Sequence, residues 1–285
     1  MIPREFEYFA PRSIPDALQL LADPGAKVLA GGMSLVPMMK LRLAAPEKLV
    51  DLRGIDTLHS IRKVDGQLEI GAMVTHYELE SAPLVRDACP LLAAAAGAIG
   101  DVQIRNAGTI GGSVAHADPA ADYPAALFAL EARVRIAGPD GERELPYADF
   151  LVDTFTTALE PGELVIAILV PLEETGTGVY YHKHPQPASG FPMVGSAARI
   201  RLADGKIVFA RIGITGLAGK GYRAGAVEAR LLGKAGSESE VKEAAAVVAD
   251  GVDAMTDIHA SAPYRSQLAR VATARAVMAA LAKAR

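Results

Sequence analysis

Leu29-Ala30-Gly31-Gly32-Met33-Ser34-Leu35-Val36 and, far downstream, Asn106-Ala107-Gly108-Thr109-Ile110-Gly111-Gly112-Ser113 are the two stretches on which the reading of this chain turns. Each sets paired glycines beside a hydroxyl. Adjacent glycines let backbone N–H groups approach a ligand closely, and Ser or Thr hydroxyls and helix N-termini complete an oxyanion shell. A diphosphate, with two negative charges and many acceptor oxygens, is the group that such a pair of loops would grip from both sides. Taken singly, each loop also reads as no more than a tight turn, because Gly-Gly supplies positive φ wherever a chain bends.

Outward from these loops, Ile14, Ala17, Leu18 and Leu21 at helical spacing behind Ser13 predict a first helix, with Pro15 tolerated in its first turn. Residues 27–30 read as a short buried strand, 34–43 as a helix capped by Ser34, and 49–52 as the next strand. Alternation around Asp65-Gly66 predicts a hairpin, Thr75 opens another helix, and 91–99 form an alanine-rich helix needing cover on nearly every side. Residues 106–113 carry too much glycine for a regular element and lead through Asp118-Pro119 into a helix near 120–131. A strand at 134–136 follows. Residues 164–170 are a continuous apolar strand closed by Pro171, and 173–178 read as a linker. Strands at 179–182, 197–202 and 207–214, with a turn at Asp204-Gly205, precede three final helices. The last is expected to pack through Leu268, Val271, Met278 and Leu281.

With 285 residues, 51% hydrophobic and 22% charged, the composition is that of a globular α/β or α+β protein of two domains. The net charge of −4 is interspersed along the chain, which argues against a nucleic-acid partner. One cysteine, Cys89, makes no intrachain disulfide and cannot alone hold an iron–sulfur cluster. No apolar run approaches the ~20 residues of a membrane span, and the first residues lack a signal-like apolar stretch, so a cytoplasmic location is expected. His182 and His184 share one strand face, but no set of residues has metal-ligand spacing, and no metal is expected. Gly32-Met33-Ser34-Leu35-Val36 lacks the second glycine of a nucleophile elbow, so a hydrolase is not supported. Gly219-Lys220-Gly221-Tyr222-Arg223-Ala224 fits a dinucleotide fingerprint, yet the strands before it read as antiparallel, against that fold.

The two glycine stretches extended through Pro37-Met38-Met39-Lys40-Leu41-Arg42, together with Gln103-Ile104-Arg105-Asn106 and Asp118-Pro119-Ala120-Ala121-Asp122, closely resemble the FAD-binding medium subunits of the carbon monoxide dehydrogenase, or molybdenum hydroxylase (xanthine dehydrogenase), family. The likeness runs from Ile2-Pro3 and Phe6 through Pro161-Gly162-Glu163-Leu164 to Tyr264-Arg265. It implies an α+β fold: an FAD-binding domain of the vanillyl-alcohol-oxidase type over 1–175, with subdomains of about 1–55 and 56–175, then a smaller flavoprotein C-terminal domain over 176–285. FAD would lie in the cleft between the subdomains.

By the same resemblance, Ala30, Gly31, Gly32, Met33, Ser34 and Leu35 with Thr109, Ile110, Gly111, Gly112 and Ser113 would hold the diphosphate. Asp122 would meet FAD, and Val165, Lys183 and Phe191 would lie beside the flavin. Many relatives have His or Gln where this chain has Met33, and Phe191 replaces a Tyr of the carbon monoxide enzyme. No catalytic acid–base residue is implied. The expected function is electron transfer from the 2Fe–2S clusters of a small subunit to an external quinone, NAD or O2, within a complex whose large subunit carries the molybdenum cofactor. A stand-alone flavin oxidase, or a cofactor-free protein keeping the fold, are the alternatives.

Overall fold

The structure is a computed structural model that describes residues 2–285. Its first unit is a three-stranded parallel sheet in the order β1-β3-β2, with β1 Glu7–Phe9, β2 Ala26–Leu29 and β3 Lys48–Asp51. Helix α1 (Ile14–Leu21) connects β1 to β2, and the Ser13 hydroxyl caps it by accepting from the Asp16 N–H, as its sequence predicts. Helix α2 (Leu35–Lys40) follows the first glycine loop. It is shorter than expected, and Ser34 makes no side-chain cap bond because its own backbone is already helical. The helix ends at a turn in which Arg42 takes a positive φ of 61°.

The second unit is an antiparallel sheet in the order β4-β5-β10-β6-β7. Strands β4 (Ile61–Val64) and β5 (Gln67–Gly71) turn at Asp65-Gly66, both with positive φ, the backbone of a tight hairpin turn. Four short helices follow: α3 (His76–Ser81), α4 (Pro83–Ala88), α5 (Pro90–Gly97) and α6 (Val102–Ala107). Next come α7 (Ile110–His116) and α8 (Tyr123–Ala129). Strands β6 (Arg133–Gly138) and β7 (Gly141–Pro146), the helical turn α9 (Tyr147–Phe150), the minor ribbon β8 (Leu151–Asp153) with β9 (Thr156–Thr157), and the central β10 (Leu164–Pro171) complete it. Strand β10 reads as a continuous apolar run because both its faces are buried. Val165, Ile168 and Val170 enter a core with α5 and α8, whereas Leu164 and Ile166 enter a second core with Val50, Leu52 and Ile55.

The third unit is an antiparallel sheet, β11 (Gly178–Pro185), β12 (Pro192–Ala203), β13 (Lys206–Thr215) and β14 (Tyr222–Arg223), covered by α10 (Gly225–Leu231), α11 (Glu238–Ala245) and α12 (Ala262–Leu281). The fingerprint-like 219–224 therefore ends in an antiparallel edge strand. Helix α12 corrects its sequence reading. Leu268 and Leu281 pack against the core as expected, but Val271 and Met278 are exposed, and Ala269, Ala272, Ala276, Val277 and Ala280 form the buried face, since small side chains let the helix sit close on β12. Residues 109–113 also differ from expectation, because Thr109 caps α7 and both Gly111 and Gly112 lie in its first turn.

The C-terminal sheet is not an appendage. Val179, Tyr181 and Ala197 are buried in the same core as Leu68, Leu91 and Val165. Arg199 and Glu173 form a buried bidentate pair, and Arg199 also donates to Ala129 O of the α8 cap, so the expected linker begins with a fixed charge. A methyl group on Gly213 would lie 2.0 Å from Ala125 O, so β13 rests directly on α8. Both domains should unfold in one transition. Glu173→Gln, which strands the Arg199 charge in the interior, is expected to cost about 3–5 kcal/mol in a denaturant titration without splitting that transition.

Candidate functional site

The two glycine loops meet. A Cβ on Gly31 would stand 2.0 Å from Ala107 O and 2.7 Å from Gly108 Cα, and one on Gly112 would stand 3.4 Å from Ala30 Cβ. Gly111 is as tightly constrained on its other side, where a Cβ would lie 2.4 Å from Ala72 Cβ. Glycine is required here by close approach, and at Gly32 by a φ of +72° as well.

The loops differ in what they offer. Among the described residues, the N–H groups of Gly31, Gly32, Met33, Ser34 and Leu35 find no protein acceptor, the first internal bond being Val36 N–H to Gly32 O. Five successive free donors around a left-handed glycine are the donor set that an anion-binding nest uses. In the second loop Ile110 N–H donates to Val74 O, Gly111 N–H to Ala72 O, Gly112 N–H to Thr109 Oγ1 and Ser113 N–H to Thr109 O. Only the Thr109 N–H is left over, so this loop does not hold the several free donors expected of it. It supplies the hydroxyls of Thr109 and Ser113 and a wall with no side chain at its closest point.

Asp122 lies at the head of α8 but caps nothing. Its carboxylate, 4% exposed, accepts from Tyr181 Oη at 2.7 Å and from Lys183 Nζ at 3.0 Å, and Lys183 Nζ also donates to Ala98 O at 2.7 Å. Burial lifts the Asp122 carboxyl to about 6, with the Lys183 ammonium and the Tyr181 hydroxyl pulling the other way. Tyr181 and Lys183 are two apart on β11 and share a face, so one strand of the C-terminal domain grips one carboxylate of the first domain.

Val165 is buried in β10, and the carbonyl of the next residue, Ile166, accepts from Ala72 N–H, the residue against which Gly111 packs. Phe191 stands apart: it is 48% exposed on the β11–β12 turn, and its hydrogen bonds stay within that turn. His182 is held low by burial, then by Arg275 and His184, a cationic neighbourhood that works against metal binding.

Sequence spacing missed His76, Tyr123 and Tyr181. His76 is isolated in the sequence, yet its Nδ1 is 2.8 Å from Tyr123 Oη, and its Nε2 would be 2.7 Å from a Cβ on Gly108. The neighbours Thr75, whose side chain and that of Glu78 form a capping box, and Asp122 were the available signals.

Residues 4–173 match the FAD binding domain in molybdopterin dehydrogenase, and residues 179–280 match the CO dehydrogenase flavoprotein C-terminal domain. The chain belongs to the medium-chain flavoprotein family of carbon monoxide dehydrogenase. The carbon monoxide dehydrogenase medium chain of Hydrogenophaga pseudoflava is 40% identical over 99% of both chains. Subunit alpha of the 6-hydroxypseudooxynicotine dehydrogenase complex of Paenarthrobacter nicotinovorans is 37% identical over 100% of this chain and 97% of its own. The solved carbon monoxide dehydrogenase of Hydrogenophaga pseudoflava superposes with a TM-score of 0.97 at 41% identity, covering 100% of both chains. Quinoline 2-oxidoreductase from Pseudomonas putida 86 does so with 0.95 at 33%, covering 99% of each. The chain is thus an FAD-binding oxidoreductase subunit with the family's two-domain α+β fold.

The residues present fit that cofactor: the free donors of 31–35 suit its diphosphate, and the second loop meets the first at Gly112, where it carries no side chain. Gly31→Ala, which drives a methyl group into Ala107 O, should weaken FAD binding at least about tenfold in a fluorescence titration. A second expectation concerns acid. Burial, then the Arg105 charge, lowers His76 from 6.5 to about 4, so the unfolded chain takes up this proton first. The His76 contribution to stability should therefore fall as pH drops from about 6.5 to about 4, and His76→Asn should remove it, read as the difference between the two proteins; Asp122, shifted upward, acts with the opposite sign in both and cancels in that difference.

Proposed function

We propose that this chain is the electron-exit subunit of a molybdenum hydroxylase complex, taking electrons from the 2Fe–2S clusters of a small subunit and passing them to an external quinone, NAD or O2. The observation that carries the reading is the row of free N–H groups at 31–35 beside the second glycine loop, in a chain that matches medium subunits over its whole length. Those relatives are named for carbon monoxide, 6-hydroxypseudooxynicotine, glyceraldehyde and caffeine. One fold serving such unlike compounds is a shared cofactor module, with the substrate pocket on a partner, the large molybdenum subunit.

Within this reading Ala30, Gly31, Gly32, Met33, Ser34 and Leu35 bind the diphosphate from one side, and Thr109, Ile110, Gly111, Gly112 and Ser113 from the other. Met33 contributes its N–H and no side-chain hydrogen bond. Residues 1–175 hold the cofactor and 176–285 lie against them, with Asp122, Val165 and Lys183 assigned to the flavin's surroundings and Phe191, on its exposed turn, the outlying member of that set. Lys183 acts there chiefly by fixing Asp122, since its ammonium already has two acceptors. When bound, FAD accepts electrons singly or in pairs and so joins one-electron clusters to a two-electron acceptor. The chain's one thiol takes no part: Cys89 is fully buried, and burial pushes it up to about 12, far from the thiolate that redox exchange or cluster ligation needs.

The test mixes the FAD-loaded chain with its small subunit, chemically reduced and freed of excess reductant. Loss of the flavin's blue absorption in proportion to added clusters is expected, with none from carbon monoxide, aldehydes or purines on the chain alone. A lone chain that oxidises one of these through many turnovers would make it a stand-alone oxidase or dehydrogenase and end the proposal.

A further inference from the structure

His76 lies outside both glycine loops, yet three contacts meet on it. Its backbone N–H donates to Gly108 O, which begins the laying of the second loop along 72–76; Ile110 N–H to Val74 O and Gly111 N–H to Ala72 O continue it. Its ring fills the space that a side chain at Gly108 would need, with Nε2 2.7 Å from where a Cβ would stand. Its Nδ1 is 2.8 Å from Tyr123 Oη, the two rings meeting edge to face at 5.3 Å between centroids. Tyr123 is fully buried and is the residue after Asp122. The ring therefore touches both the backbone of the second loop and the start of α8.

We propose that His76 is a positioning residue for the cofactor site: wedged beneath Gly108 and hydrogen-bonded to Tyr123, it sets the second glycine loop in register with the segment that carries Asp122. Tyr123 Oη lies against Nδ1, the Arg105 guanidinium nearby is paired with Glu80, and with burial and that positive charge against protonation the ring works as a neutral imidazole. One buried bond between two aromatic rings then fixes the distance between a phosphate-loop wall and a carboxylate clamped by the other domain. A wall displaced even slightly no longer faces the donors of 31–35, whose own positions His76 does not touch. The role rests on FAD being the ligand of these loops.

The test measures FAD affinity in four full-length variants at a temperature well below the melting point of each, taken without cofactor. His76→Leu and Tyr123→Phe should each weaken FAD binding by about tenfold, and the double variant should lose little more than either single one. His76→Asn, whose amide reaches the position of Nδ1, should restore binding to within about threefold of the unaltered chain. The bound flavin's visible circular dichroism should change with Leu and Phe and return with Asn. Lower melting points with unchanged affinity and spectrum would make the pair merely structural and overturn the role. Should His76→Leu fail to fold, Tyr123→Phe decides alone, since it deletes one oxygen. An unaltered chain that binds no FAD would instead remove the cofactor assignment and the role with it.

Discussion

A missing methyl group governs this molecule. At Gly31 the first glycine loop passes so close to Ala107 and Gly108 that any Cβ would overlap a carbonyl oxygen, and at Gly111 the second loop is pressed as hard onto Ala72. The two contacts bring a loop of the parallel sheet and a loop of the antiparallel sheet to one place. The proposed cofactor site depends on that meeting, because the two loops bring different things to it. One holds the free donors and the other has spent nearly all of its own. The division has a physical logic: the second loop's internal bonds make it a stiff wall, against which the open row of 31–35 keeps its shape without internal bonds.

The same economy of space recurs where the two domains join. Gly213 lets β13 lie on α8 at backbone distance, and the ends of α8 are held from the C-terminal side: Asp122 by Tyr181 and Lys183, Ala129 O by Arg199. Helix α8 is thus gripped along its length by a sheet that belongs to the other domain. Glu131, just beyond its end, extends the grip through Arg211 and Arg223. Buried pairs of this kind contribute modestly to net stability but fix geometry, because any rearrangement leaves a charge unpaired. The angle between the domains is set by such groups.

Much of this was legible from residue patterns. The hairpin at Asp65-Gly66, the Ser13 cap and the double-sided burial of β10 each follow from a local rule, and the two glycine pairs that meet in the fold stand out in the sequence. What escaped were contacts between segments distant in sequence. Nothing in the spacing of His76 announces Tyr123, since four helices, α4 to α7, lie between them in sequence, and nothing near Lys183 shows that its ammonium is spent on Ala98 O and Asp122. The helix at 110–116 was hidden for another reason: intrinsic propensity counts Gly111 and Gly112 against it, and the Thr109 cap with the pull of Ala72 and Val74 overrides that penalty. Helix α12 was legible only in part: Leu268 and Leu281 pack as their spacing suggests, but Val271 and Met278 face outward and small side chains such as Ala269, Ala272 and Ala276 make the closest seam.

Because Val179, Tyr181 and Ala197 complete a core that begins at Leu68, the order of synthesis matters. A chain emerging from the ribosome N-terminus first presents both glycine loops, α5 and α8 before the strands that cover α8 exist. At roughly 5–20 residues per second, that helix and its charged Asp122 wait several seconds for β11 and β12. During this interval the nascent first domain exposes an apolar face and an unpartnered carboxylate, so it is the stage of the protein's life most open to chaperones and most prone to aggregate.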